Sequence, residues 1–400
     1  MTQDCATVPN VPEGHSEHLQ AGYPRPRVLR VEPGTVLSAD QAMELALDAA
    51  RMGIRGANPL VGAVLVDGEH RLQQVGWHRG AGTPHAEADA LAKARQAGDD
   101  LSESTMYVSL EPCNHTGRTG PCSHAIDKAG VPAVVYAYSD STDQAAGGAE
   151  YLISRGVRVT QAEKYADASY QLNERWFKAA AARRPFITAK VASTLDGFIA
   201  AEDGTSKWIT NAVSRADGHL IRHRADAVLI GTRTVRIDNP SLDARDSFGR
   251  RFEKQPLRVV FGETHIDEDY AITGHANGDP ENYLQVYSHD SQVLLDTLYD
   301  RGVRHLMIEG GPGMIGIFAR EDLIDELVWY RATKVLGTGM SAVVRMVTQT
   351  LSQAREFQLD DLGMFPAVRT LHDTQLGTTD IATHMVPVPD KVAEIPITEI

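Results

Sequence analysis

His85-Ala86-Glu87, Pro112-Cys113 and Cys122 supply the residue types that a catalytic zinc needs, in one short stretch of chain. One imidazole and two thiolates make three protein ligands, which leaves the fourth tetrahedral position open for water. Zinc lowers the pKa of such a water toward neutrality. Glu87 lies two residues beyond the histidine, close enough to reach that water without being a ligand. A carboxylate so placed takes a proton from the water and passes it to a departing amine. H-A-E and Pro-Cys are each common by chance; together, in order and between residues 85 and 122, they point to one zinc per chain held by His85, Cys113 and Cys122, with Glu87 as catalytic acid and base.

The order H-x-E…P-C…C is the general signature of zinc deaminases acting on nucleobases. In most of them two residues separate the cysteines. Here the segment Asn114-His115-Thr116-Gly117-Arg118-Thr119-Gly120-Pro121 must bulge between the ligands. It is polar, rich in glycine and contains a cation, which suits an anionic substrate better than a bare base.

The second half carries a different set. Glu309-Gly310-Gly311-Pro312-Gly313-Met314-Ile315-Gly316 follows a strand pattern and enters a helical run. Gly311, Gly313 and Gly316 spell G-x-G-x-x-G, where glycines let a backbone approach a pyrophosphate at a helix start. The late position of the strand and Pro312 are foreign to a Rossmann turn, so a plain strand-to-helix turn is an equal reading. The planar forks of Arg222 and Arg245 suit a phosphate clamp, although an arginine on a helix is more often a solvated face. Residues 190–197 and 206–210 form two further clusters.

These residues need elements to hold them. Ser38-Ala39-Asp40-Gln41 resembles a capping box and opens a helix with Leu45, Ala49 and Met52 on one face. Strands are expected at 61–66, 73–76, 106–110, 133–138 and 157–160, with helices starting at the HAE segment and at Cys122, the latter stopped by Gly130. Residues 164–184 read as a helical connection. Beyond it, strands are expected at 186–192, 227–230, 258–261, 285–288, 305–308 and 327–332, with a helix at 211–224. Strands alternating with helices make layered α/β domains. The expected organisation is a polar N-terminal extension at 1–37, a zinc deaminase domain at 38–163, the connection at 164–184, a second α/β domain at 185–377 and a tail at 378–400.

Composition narrows the function. The 400 residues carry a formal net charge of −14, which argues against a nucleic-acid or anionic membrane partner. Three cysteines make no disulfide framework, and two have better use as ligands, so a cytoplasmic location is expected. No apolar run reaches membrane-spanning length. The first residues lack an apolar signal core.

Taken together, the chain resembles the bifunctional riboflavin biosynthesis proteins, a pyrimidine deaminase fused to a pyrimidine reductase. The resemblance spans residues 38–377. It rests on Asn58-Pro59-Leu60-Val61-Gly62, Gly76-Trp77-His78, Gly82-Thr83-Pro84-His85-Ala86-Glu87 and the stretch from Leu110 through Cys122 in the first half. In the second half it rests on residues 190–197, 206–210, Thr234-Val235-Arg236-Ile237-Asp238-Asn239-Pro240 with Leu242 and Arg245, and Glu309-Gly310-Gly311-Pro312-Gly313. The resemblance implies a cytidine-deaminase-like layered domain followed by a dihydrofolate-reductase-like α/β domain. It implies zinc-dependent hydrolysis of an amine of 2,5-diamino-6-ribosylamino-4(3H)-pyrimidinone 5′-phosphate, then reduction of the ribosyl group to ribityl with NADPH. It further implies that Asn58 holds the deaminase substrate and that Ser206, Arg222, Leu242 and Arg245 contact the reductase substrate. Trp208, Thr210, Thr234, Asp238, Glu309, Gly310, Gly311 and Gly313 match positions around the cofactor or the reacting pair. Lys190 and Asp196 would orient the sugar or relay a proton. A homo-oligomer is also implied. The chain departs from the family at Gly120, at Ser123-His124, at Asp140-Ser141-Thr142-Asp143 and at Gly262-Glu263, where a carboxylate pointing inward would oppose the cofactor's 2′-phosphate.

Overall fold

Helix α1 (Ala39–Arg51) begins where the sequence supplies a reciprocal cap. Gln41 N–H donates to Ser38 Oγ at 3.2 Å and Ser38 N–H to Gln41 Oε1 at 2.8 Å, which occupies two amides otherwise left open at a helix start. The structure, a computed structural model, describes residues 31–54, 56–80, 82–115, 120–139, 147–275, 278–344, 354, 357–359, 368–373 and 377–387.

In the first unit, β1 (Gly62–Val66), buried along its whole length, runs antiparallel to both β2 (Leu72–Trp77) and β3 (Thr105–Leu110). β4 (Ala133–Tyr138) and β5 (Arg158–Gln161) extend the sheet in parallel, giving the order β2-β1-β3-β4-β5. One face packs α2 (Ala86–Ala97), α3 (Cys122–Ala129) and α4 (Gly148–Ser154) through Ala86, Ala90, Leu91, Ile126 and Leu152. The other face takes α1 through Met43, Ala46 and Leu47. Sheets buried on both faces read as short apolar runs, as β1 and β4 do. Gly76 sets the approach of α2: a side-chain carbon there would lie 2.2 Å from the Ala86 carbonyl oxygen.

The expected helical connection is α5 (Ala166–Ala182), entered through a 3₁₀ turn at Glu163–Tyr165. The second unit opens with β6 (Phe186–Ser193) and the short β7 (Phe198–Ala200). It continues through α6 (Ala212–Arg224), β8 (Ala227–Gly231), α7 (Thr232–Asp238), β9 (Leu257–Phe261), β10 (Tyr283–Val286), α8 (Ser291–Asp300), β11 (His305–Ile308), α9 (Pro312–Arg320) and β12 (Glu326–Ala332). β13 (Met340–Ser341) pairs with β7, and β14 (Phe357–Leu359), β15 (Val368–Asp373) and β16 (Thr378–Pro387) are the last strands among the described residues. The main sheet runs β10-β9-β8-β11-β6-β12-β16-β14, with β15 also on β16. From β10 to β12 neighbouring strands are parallel; β16 is antiparallel to β12. β11 inserts between β8 and β6, so the strand order reverses there, and ligands of open α/β sheets bind beyond the carboxyl ends of strands at such a reversal.

The expected tail from 378 is corrected by the structure. Thr378–Pro387 is β16, bonded to β12 over six residue pairs. Polar residues conceal it in the sequence: Asp380, buried, accepts from Asn211 N–H at 2.7 Å and Ser214 Oγ at 2.6 Å and so completes the start of α6. Residues 1–30 of the N-terminal extension and 388–400 of the tail lie outside the described residues. Among the described residues no helix is long and apolar enough to cross a membrane.

Candidate active sites

His85 ends the loop after β2 as the N-cap residue of α2, Cys113 follows β3, and Cys122 is the first residue of α3. The His85 Nδ1 atom lies 3.6 Å from Cys113 Sγ and 3.4 Å from Cys122 Sγ, and the three donor atoms fall within 4.8 Å of one another. Tetrahedral zinc with ordinary Zn–N and Zn–S bonds separates such donors by about 3.6 Å. The donor set thus fits zinc in type, number and spacing. Only Cys122 of the two thiols sits at a helix start. Its N–H points to Cys113 Sγ at 3.5 Å, and Ser123 N–H donates to Cys113 O at 3.2 Å, so first-turn amides of α3 serve the other ligand as well.

Charge around the cluster is arranged accordingly. The Cys113 thiol is pulled down to about 4, chiefly by a hydrogen bond from Cys122 and also by His85. Cys122 is pushed upward, because it bonds the neighbouring sulfur and is buried. Glu87 is buried, 3% exposed, and is raised to about 7 by burial and by the Cys113 charge. A carboxyl near 7 suits a group that must both accept and return a proton. His124, which follows Cys122 by two residues, is not part of the cluster; its ring stacks on Tyr151 with centroids 4.2 Å apart.

Asn58 joins this site through a residue to which sequence reasoning gave no role. Its side-chain amide lies 3.2 Å from His78 Nε2, and His78 Nδ1 lies 3.0 Å from the Pro84 carbonyl. That carbonyl accepts only, so Nδ1 carries the proton and Nε2 accepts from Asn58. Burial lowers the His78 pKa and keeps the ring neutral. The signal was available, since His78 stands in the quoted Gly76-Trp77-His78 segment. Of the loop between the cysteines, Thr116-Gly117-Arg118-Thr119 lie outside the described residues, as do Asp140-Ser141-Thr142-Asp143. Near the loop, Ser123 Oγ donates to Asn114 Oδ1 at 2.8 Å. Gly148 lets α4 pass over Pro112: a side-chain carbon there would lie 1.7 Å from the Pro112 oxygen.

In the second unit the structure gathers Lys190, Arg222 and Glu309. Glu309 follows β11 and receives Arg222 Nε at 2.6 Å and Nη2 at 2.9 Å, with Lys190 Nζ at 3.4 Å from β6. Burial alone would raise this carboxyl, but the charges of Arg222 and Lys190 override it and hold it at about 2. Arg222 Nη1 also donates to the Asp243 carbonyl. The fork expected to clamp phosphate therefore already grips a carboxylate. His219, one turn before Arg222, was missed although its i−3 spacing put it on the same helix face; burial first, then Arg222, lowers it to about 4. Arg245 is 40% exposed along its side chain and donates to Asp243 Oδ2 and Gly249 O, both at 3.0 Å. Leu242, buried, takes φ +52° immediately before Asp243.

Around the glycine turn, Gly311 N–H faces Thr234 Oγ1 at 3.3 Å. Gly311 is the N-cap of α9 without a side-chain bond, and Pro312 occupies the first turn, where its missing N–H costs nothing. Gly310, Gly311 and Gly313 thus open α9, while Thr234 and Asp238 lie on α7. Two helix starts beyond the adjacent strands β8 and β11 form a cradle suited to phosphate groups. Trp208 is 63% exposed, with the Arg215 guanidinium 4.3 Å from its ring centroid and Lys334 donating to its carbonyl. Thr210 is buried and accepts from Arg215 through its carbonyl; Ser206 is exposed. Asp196 accepts from Thr194 Oγ1 at 2.6 Å and from Gly337 N–H at 2.7 Å, which fixes two turns. Glu263 is directed to the surface, 3.8 Å from His289 Nε2.

Residues 37–138 match the family described as the cytidine and deoxycytidylate deaminase zinc-binding region, and residues 185–365 match the RibD C-terminal domain. The riboflavin biosynthesis protein RibD of Corynebacterium ammoniagenes is 38% identical over 79% of this chain and 92% of its own. Among solved structures, RibD of Acinetobacter baumannii, form 2, superposes with a TM-score of 0.75 at 32% identity, covering 86% of this chain and 98% of that one. A diaminohydroxyphosphoribosylaminopyrimidine deaminase/5-amino-6-(5-phosphoribosylamino)uracil reductase from Thermotoga maritima gives 0.70 at 29% identity, covering 87% and 98%.

Proposed function

The chain belongs to the riboflavin biosynthesis protein RibD family, bifunctional deaminases and reductases of riboflavin biosynthesis, and on that premise we propose how its residues divide the work. The first unit removes an amine from 2,5-diamino-6-ribosylamino-4(3H)-pyrimidinone 5′-phosphate, and the second reduces the ribosyl group of the product to ribityl. The observation that carries this reading is the zinc-like spacing of His85, Cys113 and Cys122 with Glu87 buried beside them.

Zinc held by His85, Cys113 and Cys122 would supply a water acidic enough to attack at neutral pH. Glu87 accepts that water's proton and returns it to the leaving amine, so ammonia departs as the carbon gains oxygen. Asn58, fixed by His78, orients the pyrimidine. In the second unit NADPH would supply the hydride. The starts of α7 and α9, with Thr234 and residues Gly310 to Gly313, would hold its phosphates, and Trp208, Thr210 and Asp238 would border it. The outward Glu263 leaves room for a 2′-phosphate. Glu309, locked by Arg222 and Lys190, orients the sugar, while Arg245, Leu242 and Ser206 face the substrate's phosphate end. We further propose that the enzyme works in the cytoplasm, without nucleic acid or membrane, as a homo-oligomer.

Mass spectrometry of the product tests this. Without NADPH the pyrimidine phosphate should exchange one amino group for oxygen and stop; with NADPH it should also gain two hydrogens. Reduction without prior deamination, or no reaction with zinc present, would refute the assignment.

A further inference from the structure

The loop that carries Asn58 is held from outside the deaminase unit. Asn173 of α5, 2% exposed, accepts from Leu60 N–H at 2.7 Å and donates to Leu60 O at 2.9 Å. Both polar groups of a buried peptide segment are thus satisfied by one amide. One helical turn on, Trp176 Nε1 donates to Ala57 O at 3.0 Å. The two contacts bracket Asn58. Beside them, a side-chain carbon at Gly302, in the turn before β11, would lie 3.1 Å from Ala57 Cβ. The reductase unit therefore abuts the same loop.

The other face of α5 is tied to the reductase sheet. Arg175 reaches Glu326 of β12 through Nη2 at 2.8 Å and Nε at 3.3 Å, with side chains 12% and 2% exposed. Glu326 also accepts from Thr188 of β6 at 2.6 Å. Just beyond α5, Arg184 forks onto Asp325 at 2.6 and 2.8 Å. A packed helix tied by buried, charge-assisted bonds has little freedom to shift. Contacts then run without a break from Glu326 through α5 to residues 57–60, then from Asn58 to His78 and from His78 to Pro84, the neighbour of the ligand His85.

We propose that Asn173 and Trp176 are positioning residues for deamination, setting the 57–60 loop, and with it Asn58, from the connecting helix that also anchors to the reductase sheet. This rests on the reading of Asn58 as a substrate contact. Neither residue touches a metal ligand, so their loss should weaken substrate binding and leave the metal site intact. Sequence motifs do not show this, because both residues lie in the connecting helix and act across more than a hundred positions.

The test uses full-length, zinc-loaded enzyme carrying Asn58→Ala, Asn173→Ala or Trp176→Phe. Each is assayed for zinc per chain, for deaminase KM and kcat, and for reduction of pre-deaminated substrate. Asn58→Ala and Asn173→Ala should each raise the deaminase KM about tenfold or more, as losing bonds to buried polar groups does, with zinc and reduction unchanged. Trp176→Phe keeps an aromatic side chain but loses the N–H donor together with the five-membered half of the indole, and should raise KM by a smaller factor. It decides the matter should Asn173→Ala fail to fold. If Asn58→Ala raises KM but the α5 variants behave as wild type, or lose activity only in proportion to lost zinc, the proposal is overturned. An unchanged KM in Asn58→Ala would instead remove the reading of Asn58, and the proposal with it.

Discussion

Replacing Glu309 with glutamine should strip the reductase unit of stability that depends on acid. The carboxylate is 8% exposed along its side chain, between Arg222 and Lys190, and is held at about 2 against an ordinary value of 4.5. A carboxyl whose folded value is depressed stabilises the fold fully above its unfolded value and ceases to do so as the pH falls through the folded one. The window here runs from about pH 4.5 down to about 2. The gap between the two values is equivalent to about 3 kcal/mol. Breaking a buried ion pair from one side costs roughly 3–5 kcal/mol, so two independent routes agree. Glu309→Gln should therefore be less stable than wild type by about 3 kcal/mol at pH 7, with the difference falling below half of that by pH 3. Urea titrations at pH 7, 4 and 3, followed by tryptophan fluorescence, measure it; Trp329 on β12 reports on the strand beside β6. A difference that stays constant across that range, or is absent at pH 7, would refute the ionised, doubly paired Glu309.

Arg245→Lys keeps the charge and loses the fork, so reduction of the phosphorylated substrate should fall by about one to two decades in kcat/KM, with deamination and reduction of the dephosphorylated compound little changed; equal kinetics on both substrates would contradict a phosphate contact. Gly148→Ala places a carbon against the Pro112 carbonyl and forces the Cys113 loop to move, at a cost of roughly 1–3 kcal/mol. The variant should lose zinc faster than wild type on dialysis against a chelator. Chelating zinc from the intact enzyme should abolish deamination and spare reduction of the pre-deaminated compound, since Lys190 and Arg222 both bond Glu309 and not the zinc cluster; loss of both activities with the fold intact would show the sites to be dependent.

The gathering of His85, Cys113 and Cys122 was legible because it is local: His85 and Glu87 share one helix start, and the two cysteines close one loop. Strands β1 to β6 and β8 to β12 were legible in the sequence, with ends displaced by a residue or two, whereas β14, β15 and β16 of the second sheet were not. What escaped lacks a local pattern. Helix α7 is seven residues long with only Val235 buried, too short to show a helical period. Helix α8 does bury Leu294, Leu295 and Leu298, but no motif drew attention to it. β16 hid behind buried polar residues, Asp380, Thr383 and His384, whose partners come from distant strands and helices. The partner of Arg222 was hidden for the same reason. Glu309 is 87 residues away, and no spacing rule joins a helical arginine to a carboxylate after a later strand. Asn173 looked like an ordinary polar residue on a connecting helix until its two bonds to Leu60 were seen.

The central claim is that His85, Cys113 and Cys122 hold zinc while Glu87 moves the proton. Glu87→Gln tests it most directly, because glutamine keeps the shape and cannot exchange the proton. Purified full-length variant should retain one zinc per chain, convert no detectable pyrimidine phosphate to the deaminated product, and reduce the pre-deaminated compound at the wild-type rate. Deamination persisting at a wild-type rate in zinc-replete Glu87→Gln would contradict the claim.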